Sequence, residues 1–144
     1  MQELLIRRLY DYIRDNNPDL LLILLEENRL TDYLHENVSS IDQLINQLLS
    51  ENKGPSLIEE LCLQELTRPL LPSRFNYLST LLEEEFQQEH DRLERAGILT
   101  TELINMIIAC DPVFDEMEFS TANEDDRYLR YAVMGAVHEY FNEW

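Results

Sequence analysis

The three histidines are the residues of this chain best suited to chemistry, because imidazole binds metals and exchanges protons near neutral pH. They are His35, His90 and His138. A carboxylate-bridged di-metal bundle needs a glutamate three residues before a histidine on two helices, and no histidine here has one. His90, Asp91 and Glu94 fall on one helical turn and offer three ligand groups, but the sequence identifies no further ligand. We therefore expect a solvated, charged helix tip there, with no metal and no cofactor.

Nucleophilic catalysis has no recognisable motif. There is no Gly-x-Ser-x-Gly sequence, and three glycines cannot build a phosphate-binding loop. The two cysteines, Cys62 and Cys110, lie 48 positions apart. We expect both to be buried and reduced, while a disulfide between them or a pairing with a histidine stays open. The sequence therefore predicts no catalytic residue and no enzyme.

An acidic block occupies residues 111–126, which contain seven carboxylates and no basic residue. The block lacks the residue order of an EF-hand calcium loop. We interpret it as a solvated connection between helices, and the alternative is a docking site for a basic partner. In that alternative the contacting residues would be Asp115, Glu116 and Glu118.

The overall charge excludes several classes of partner. The chain has 29 acidic and 11 basic residues, so its net charge is −18. Such a surface repels the phosphates of nucleic acids and of anionic membranes. The longest apolar run, residues 20–25, is too short to span a bilayer, which requires ~20 residues. No signal-peptide pattern precedes or follows that run. We therefore predict a cytoplasmic protein with no membrane contact and no direct binding of nucleic acid.

The composition predicts an all-α fold. There are 26 leucines but only four valines, and leucine favours helices whereas β-branched residues favour strands. A length of 144 residues predicts one domain over residues 1–144. Apolar periodicity predicts a bundle of about seven helices, with short helical turns near 31–37 and 112–117. The predicted helices cover residues 2–16, 18–28, 41–52, 56–67, 73–96, 101–110 and 122–142.

Local signals mark the ends of these helices. Asn17 before Pro18 is typical of a helix start, and Gly97 is typical of a left-handed helix end. The pairs Gly54–Pro55 and Pro69–Pro72 predict breaks. Three pairs have the capping-box spacing: Ser40 with Gln43, Ser56 with Glu59, and Thr121 with Glu124.

The C-terminal helix has apolar residues on nearly every side. One face carries Leu129, Val133 and Tyr140, and another carries aromatic residues. A helix of this kind lies at the centre of a bundle or at an interface. Tyrosine, tryptophan and phenylalanine are enriched at interfaces. We therefore predict that an interaction surface includes Tyr128, Tyr131, His138, Phe141 and Trp144, together with the three acids of the acidic block.

Two stretches resemble a known family. They are the segment from Tyr12 to Leu20, which reads YIRDNNPDL, and the segment from Ile58 through Leu66 to the helix LLEEEF at residues 81–86. Together they resemble a family of small bacterial proteins of unknown function, often encoded in conjugative-transposon regions of Bacteroidetes. The resemblance implies an all-helical fold in a bacterial cytoplasm, and it implies no active site.

The function predicted from these observations is that of an acidic, non-enzymatic module that binds a protein partner or associates with itself. One alternative is a DNA mimic, or another antagonist of a DNA-binding protein linked to mobile elements, because a net charge of −18 on a small domain suits that role. A second alternative is a binder of a small molecule or metal.

Overall fold

The structure is a computed structural model, and it describes residues 1–143. All regular secondary structure in the described residues is helical, which confirms the predicted all-α class. Contacts group the chain into two compact units, Met1–Leu70 and the residues from Leu71 onward. Each unit has its own hydrophobic core. The assignment of residues 1–144 to a single domain stays a prediction.

The first unit contains five α-helices and a short 3₁₀ turn. They are α1 (Gln2–Asn16), α2 (Pro18–Glu26), α3 (Leu30–Ser39), α4 (Asp42–Ser50) and α5 (Pro55–Thr67), followed by the 3₁₀ turn Arg68–Leu70. Helix α1 packs against α2, α3 and α5, and α4 packs against α5. The core includes the fully buried Leu5, Ile13 and Cys62. The apolar run at residues 20–25 forms part of α2, as predicted.

The second unit is built around its longest helix, α8. Its helices are α6 (Arg74–Glu85), α7 (Gln87–Arg95), α8 (Leu99–Glu116) and α9 (Arg127–Asn142). Helix α8 packs against the three others, and Met106, Cys110 and Phe114 on it are fully buried. The core also includes Leu78 from α6 and Leu129 from α9.

The predicted single helix over residues 73–96 is wrong, because the chain turns sharply at Phe86. That residue has φ −133° and ψ 47°, so α6 ends and α7 begins on either side of it. The Phe86 ring packs against Phe141, with ring centroids 5.9 Å apart. The turn lets α7 bury His90 and Leu93. There is no proline or glycine near Phe86 that would end a helix. We therefore attribute the break to the burial of side chains on both sides of it.

The three predicted capping boxes are also wrong. Ser40 still has helical torsions, φ −65° and ψ −18°, and its hydroxyl donates to the Asn37 carbonyl at the end of α3, 2.6 Å away. Ser56 lies inside α5, because Pro55 already begins that helix. A capping serine needs extended torsions before the first turn, and neither serine has that position.

The third capping box fails because a different residue caps the last helix. Residues 121–125 form turns, and α9 begins at Arg127. Asp126 has extended torsions, and its carboxylate accepts a hydrogen bond from the Tyr128 backbone N–H at 3.2 Å. The observed helix therefore starts five residues later than the predicted one, at the aspartate closest to its first turn.

Within residues 1–143, four helices end in a left-handed residue, and the sequence predicts the one at Gly97. Gly97 has φ 74°, its N–H donates to the Glu94 carbonyl, and the Ile98 N–H donates to the Leu93 carbonyl. This pair of bonds is the Schellman motif. Asn28, Asn52 and Glu118 occupy the equivalent positions after α2, α4 and α8. The short turn predicted near 112–117 is instead the last part of α8.

Within the described residues, no helix has both the length and the apolar character needed to cross a membrane.

Candidate functional site

The last helix, α9, packs on one side only. Leu129, Val133 and Val137 are fully buried, and they recur every four residues along one side of the helix. Tyr128 and Tyr131 lie away from that side and are 62% and 61% exposed. The helix is therefore not enclosed at the centre of its unit, although both faces carry apolar or aromatic side chains.

The exposed side of α9 brings together three of the residues predicted to form an interaction surface. We call it the tyrosine face, and it consists of Tyr128, Tyr131, Gly135 and His138, all exposed. A Cβ added at Gly135 would meet no atom within 4 Å. Because nothing in the part of the chain that the structure describes packs closely there, internal packing does not account for this glycine, which costs ~1 kcal/mol relative to alanine.

The remaining aromatic residues predicted for this surface do not lie on the tyrosine face. Phe141 is half-buried and packs against the core of the second unit, in contact with the Phe86 ring. Trp144 lies outside the described residues.

Two carboxylates of the acidic block, one of them the predicted Asp115, are part of a structural clamp. Asp115 accepts a hydrogen bond from Arg74 at 2.8 Å, and Asp111 accepts another from the same guanidinium at 2.7 Å. The guanidinium carbon of Arg74 also lies 5.1 Å from the centre of the Phe114 ring. These contacts tie the start of α6 to α8. The other two predicted acids, Glu116 and Glu118, are exposed at the end of α8.

The segment after α8 is an ordered connection. The Asn123 side-chain amide donates to the Met117 carbonyl at 2.9 Å, and its oxygen accepts the Ser120 N–H at 2.8 Å. The Phe119 ring packs 4.7 Å from the Phe114 ring, centre to centre. Phe119 therefore anchors this connection to the core, which fixes the acids that follow it.

A cleft of about 510 Å³ lies between α6 and this connection. We call it the acidic cleft. Its walls combine two aromatic rings, small polar side chains and four charged groups. The residues that define it are Ser73, Tyr77, Thr80, Glu84, Phe119, Glu124, Asp125 and Arg130.

The net charge of the acidic cleft is negative. Its single basic residue, Arg130, already pairs with Glu84 at 2.8 Å and with Glu85 at 3.0 Å. Glu124 and Asp125 are exposed and add two further carboxylates. Since the guanidinium charge is compensated by its own partners, the cleft attracts cations rather than anions.

The Tyr77 hydroxyl is the least satisfied polar group of the cleft. Its oxygen is buried and has no hydrogen-bond partner, although its ring packs against Phe114 and Phe119. Burial raises the pKa of Tyr77, the Arg130 charge lowers it, and the nearby Asp126 and Asp125 charges raise it again. A buried hydroxyl without a partner costs ~1–3 kcal/mol of stability.

The cysteines are buried, as predicted. Both Cys62 and Cys110 are free and fully buried. Burial, with a smaller contribution from the Asp111 charge, raises the pKa of the Cys110 thiol to about 11. Burial also raises the pKa of the Cys62 thiol. Because the thiolate is the nucleophilic form, these environments disfavour nucleophilic chemistry at neutral pH.

Sequence reasoning missed the acidic cleft as a site. Tyr77 and Arg130 are 53 positions apart, and only the fold of the connection after α8 brings them to one cavity. The one signal in the sequence was Arg130. This basic residue lies four positions after the last of three consecutive acids, which are residues 124–126.

Comparison with known proteins adds no assignment, since no family model, curated protein or solved structure matches the chain. The resemblance to the bacterial family stays a prediction.

Proposed function

We propose that this protein is a non-enzymatic interaction module that binds a basic segment of a partner protein in the acidic cleft. The observation that carries the proposal is a net-negative cleft whose walls include the aromatic rings of Tyr77 and Phe119. A lysine or arginine side chain suits such a cavity. Its aliphatic stem packs on the Tyr77 and Phe119 rings, and its charged end meets carboxylates.

The surroundings of the cleft favour a protein over a small cation. Arg130, which lines the cleft, lies on the same helix as the exposed Tyr128 and Tyr131. Tyrosine contributes large contact area at low entropic cost, and it is enriched at protein interfaces. The net charge of −18 also accelerates encounter with a basic partner. A DNA-binding protein antagonised by this chain would be one such partner.

Random peptides displayed on phage and selected on the immobilised full chain would test the proposal. We expect the retained peptides to be rich in lysine and arginine beside apolar residues. The affinity of a retained peptide is then measured for the double variant Glu124→Gln/Asp125→Asn, which removes the two carboxylates that are not paired with Arg130. We expect that affinity to fall at least tenfold, because the peptide cation loses its counter-charges.

A double variant in the first unit, Glu3→Gln/Glu36→Gln, is the matched control. It removes the same number of exposed carboxylates, and we expect it to change the affinity less than twofold. Equal losses in the two double variants would mean that only the total charge attracts the peptide, and the cleft would lose its role. Selection of no peptide, or of peptides without basic residues, would also overturn the proposal.

A further inference from the structure

His90 is a buried imidazole surrounded by carboxylates. It lies on α7, and only 8% of the residue is exposed. Two carboxylate oxygens face its Nδ1 atom, Asp91 Oδ1 at 3.4 Å and Glu94 Oε2 at 3.7 Å. A third, Glu83 Oε1 on α6, lies 3.6 Å from its Nε2 atom. The solvated helix tip predicted from the sequence is therefore wrong for His90, although Asp91 and Glu94 remain accessible.

The distances around Nδ1 are those of ligands that share a metal ion. A charge-assisted hydrogen bond between nitrogen and oxygen measures ~2.7–2.9 Å, so 3.4 and 3.7 Å are too long for a strong one. Two ligands that each lie ~2.0–2.1 Å from a tetrahedral zinc ion are about 3.4 Å apart. One ligand atom from each of His90, Asp91 and Glu94 lies within 4.8 Å of the other two.

A further carboxylate, that of Glu83, lies on the opposite side of the His90 imidazole, next to Nε2. A metal-binding histidine usually donates its other ring N–H to a carboxylate, which fixes the tautomer and the ring orientation. Glu83 Oε1 lies on that side of the ring, 3.6 Å from Nε2, which is longer than a hydrogen bond, so its charge and not a hydrogen bond favours the proton on Nε2. With the proton on Nε2, Nδ1 keeps its lone pair for a metal ion, and the Asp91 and Glu94 oxygens lie 3.4 and 3.7 Å from it. The sharp turn at Phe86 is what brings Glu83 on α6 next to a ring carried by α7.

We propose that His90 Nδ1, Asp91 and Glu94 bind a divalent first-row transition-metal ion, with Zn²⁺ as the best fit, and that Glu83 orients the imidazole. One nitrogen and two carboxylate ligands suit Zn²⁺ better than Mg²⁺ or Ca²⁺, which prefer all-oxygen sites. The side chains of Asp91 and Glu94 are 43% and 66% exposed. The fourth coordination position therefore faces solvent and accepts water or a ligand from outside the chain. This site is independent of the acidic cleft.

Isothermal titration of the full chain with Zn²⁺ alone tests the site. We expect saturable binding of one ion per chain, insensitive to excess Mg²⁺. His90→Gln and the double variant Asp91→Asn/Glu94→Gln should each weaken binding by more than tenfold. Glu83→Gln should weaken it ~10–100-fold without removing a ligand, as loss of an outer carboxylate does.

His35→Gln is the matched control, because His35 is exposed on α3 beside Glu36. We expect this variant to bind Zn²⁺ within twofold of the wild type. The His90→Gln variant replaces a buried side chain and can disturb folding, whereas the Asp91→Asn/Glu94→Gln variant changes accessible side chains. The double variant therefore tests the ligands independently. Circular dichroism checks the folding of both variants. No saturable binding, equal losses in the His35 and His90 variants, or undiminished binding by the double variant would each overturn the site. Competition by Mg²⁺ would overturn the transition-metal assignment.

Discussion

At the scale of a single residue, the Tyr77 hydroxyl has different effects on the free energy of unfolding and on the binding of peptides. Its hydroxyl oxygen is buried without a partner, so Tyr77→Phe removes a desolvated group and no hydrogen bond. We expect the free energy of unfolding to stay the same or to rise by up to ~1 kcal/mol. We also expect basic peptides to bind the variant within twofold of the wild type, because the buried oxygen is closed to a ligand and the ring is kept. Urea denaturation and peptide titration measure the two effects.

Tyr140→Phe is the control for that prediction. The Tyr140 hydroxyl donates to the Glu102 carboxylate, so its removal breaks a charge-assisted hydrogen bond. We expect a loss of ~1–2 kcal/mol in this variant. A Tyr77→Phe protein destabilised as much as Tyr140→Phe would show that the Tyr77 hydroxyl is paired in solution, which would contradict our interpretation of the cleft.

At the scale of helices, Arg74 connects the start of α6 to α8. Its guanidinium bonds two carboxylates one helical turn apart, Asp111 and Asp115, and its side chain is only 30% exposed. Arg74→Met removes both ion pairs and the contact of the guanidinium with the Phe114 ring. We expect the free energy of unfolding to fall by about 1–2 kcal/mol, which exceeds the value of an ordinary surface pair. Urea denaturation measures this loss.

Arg68→Met tests whether that loss is specific to the clamp. Arg68 pairs with Glu65 on the same helical segment, and its side chain is 71% exposed. An exposed pair with spacing i, i+3 is worth ~0.5 kcal/mol or less. If the two substitutions cost the same, the Arg74 contacts contribute no more than solvent-exposed charges, and the clamp does not hold α6 to α8.

Charge acts on the molecule as a whole. The 29 acids and 11 bases give a net charge of −18, and self-repulsion opposes the compact state. Raising NaCl from about 0.01 M to about 0.1 M shortens the screening length from ~30 Å to ~10 Å. We therefore expect Tm to rise over that range. Affinity for a basic peptide should fall over the same range, because the attraction is screened as well.

Thermal unfolding and peptide titration at matched salt concentrations measure these opposite trends. The Glu3→Gln/Glu36→Gln protein should show a smaller rise in Tm, since it carries less charge. A fall in Tm with salt would mean that local ion pairs such as Arg74–Asp111 outweigh the net repulsion, contrary to this prediction.

The all-α class could be predicted because it depends on local preferences that every turn of the chain repeats. Leucine at helical spacing, Pro18 after Asn17 and Gly97 at a left-handed position each act within a few residues. Predictions from local sequence were wrong where contacts with residues distant in the sequence determine where a helix begins or ends. The turn at Phe86 depends on burial against Phe141, which is 55 positions away. Ser40 has the capping-box spacing but helical torsions, because α3 continues up to it.

The candidate sites also combine features that the sequence predicts with features that only the tertiary structure shows. Composition alone determined the net charge and predicts that nucleic-acid binding is unfavourable, since total charge is a sum over residues and needs no fold. The sequence also named His90, Asp91 and Glu94, because a helical turn brings them together. Only the tertiary structure added Glu83 to that group and enclosed Tyr77 with Arg130 in one cleft. These contacts join separate helices or loops, and their formation follows from burying a common core, which residue spacing does not encode.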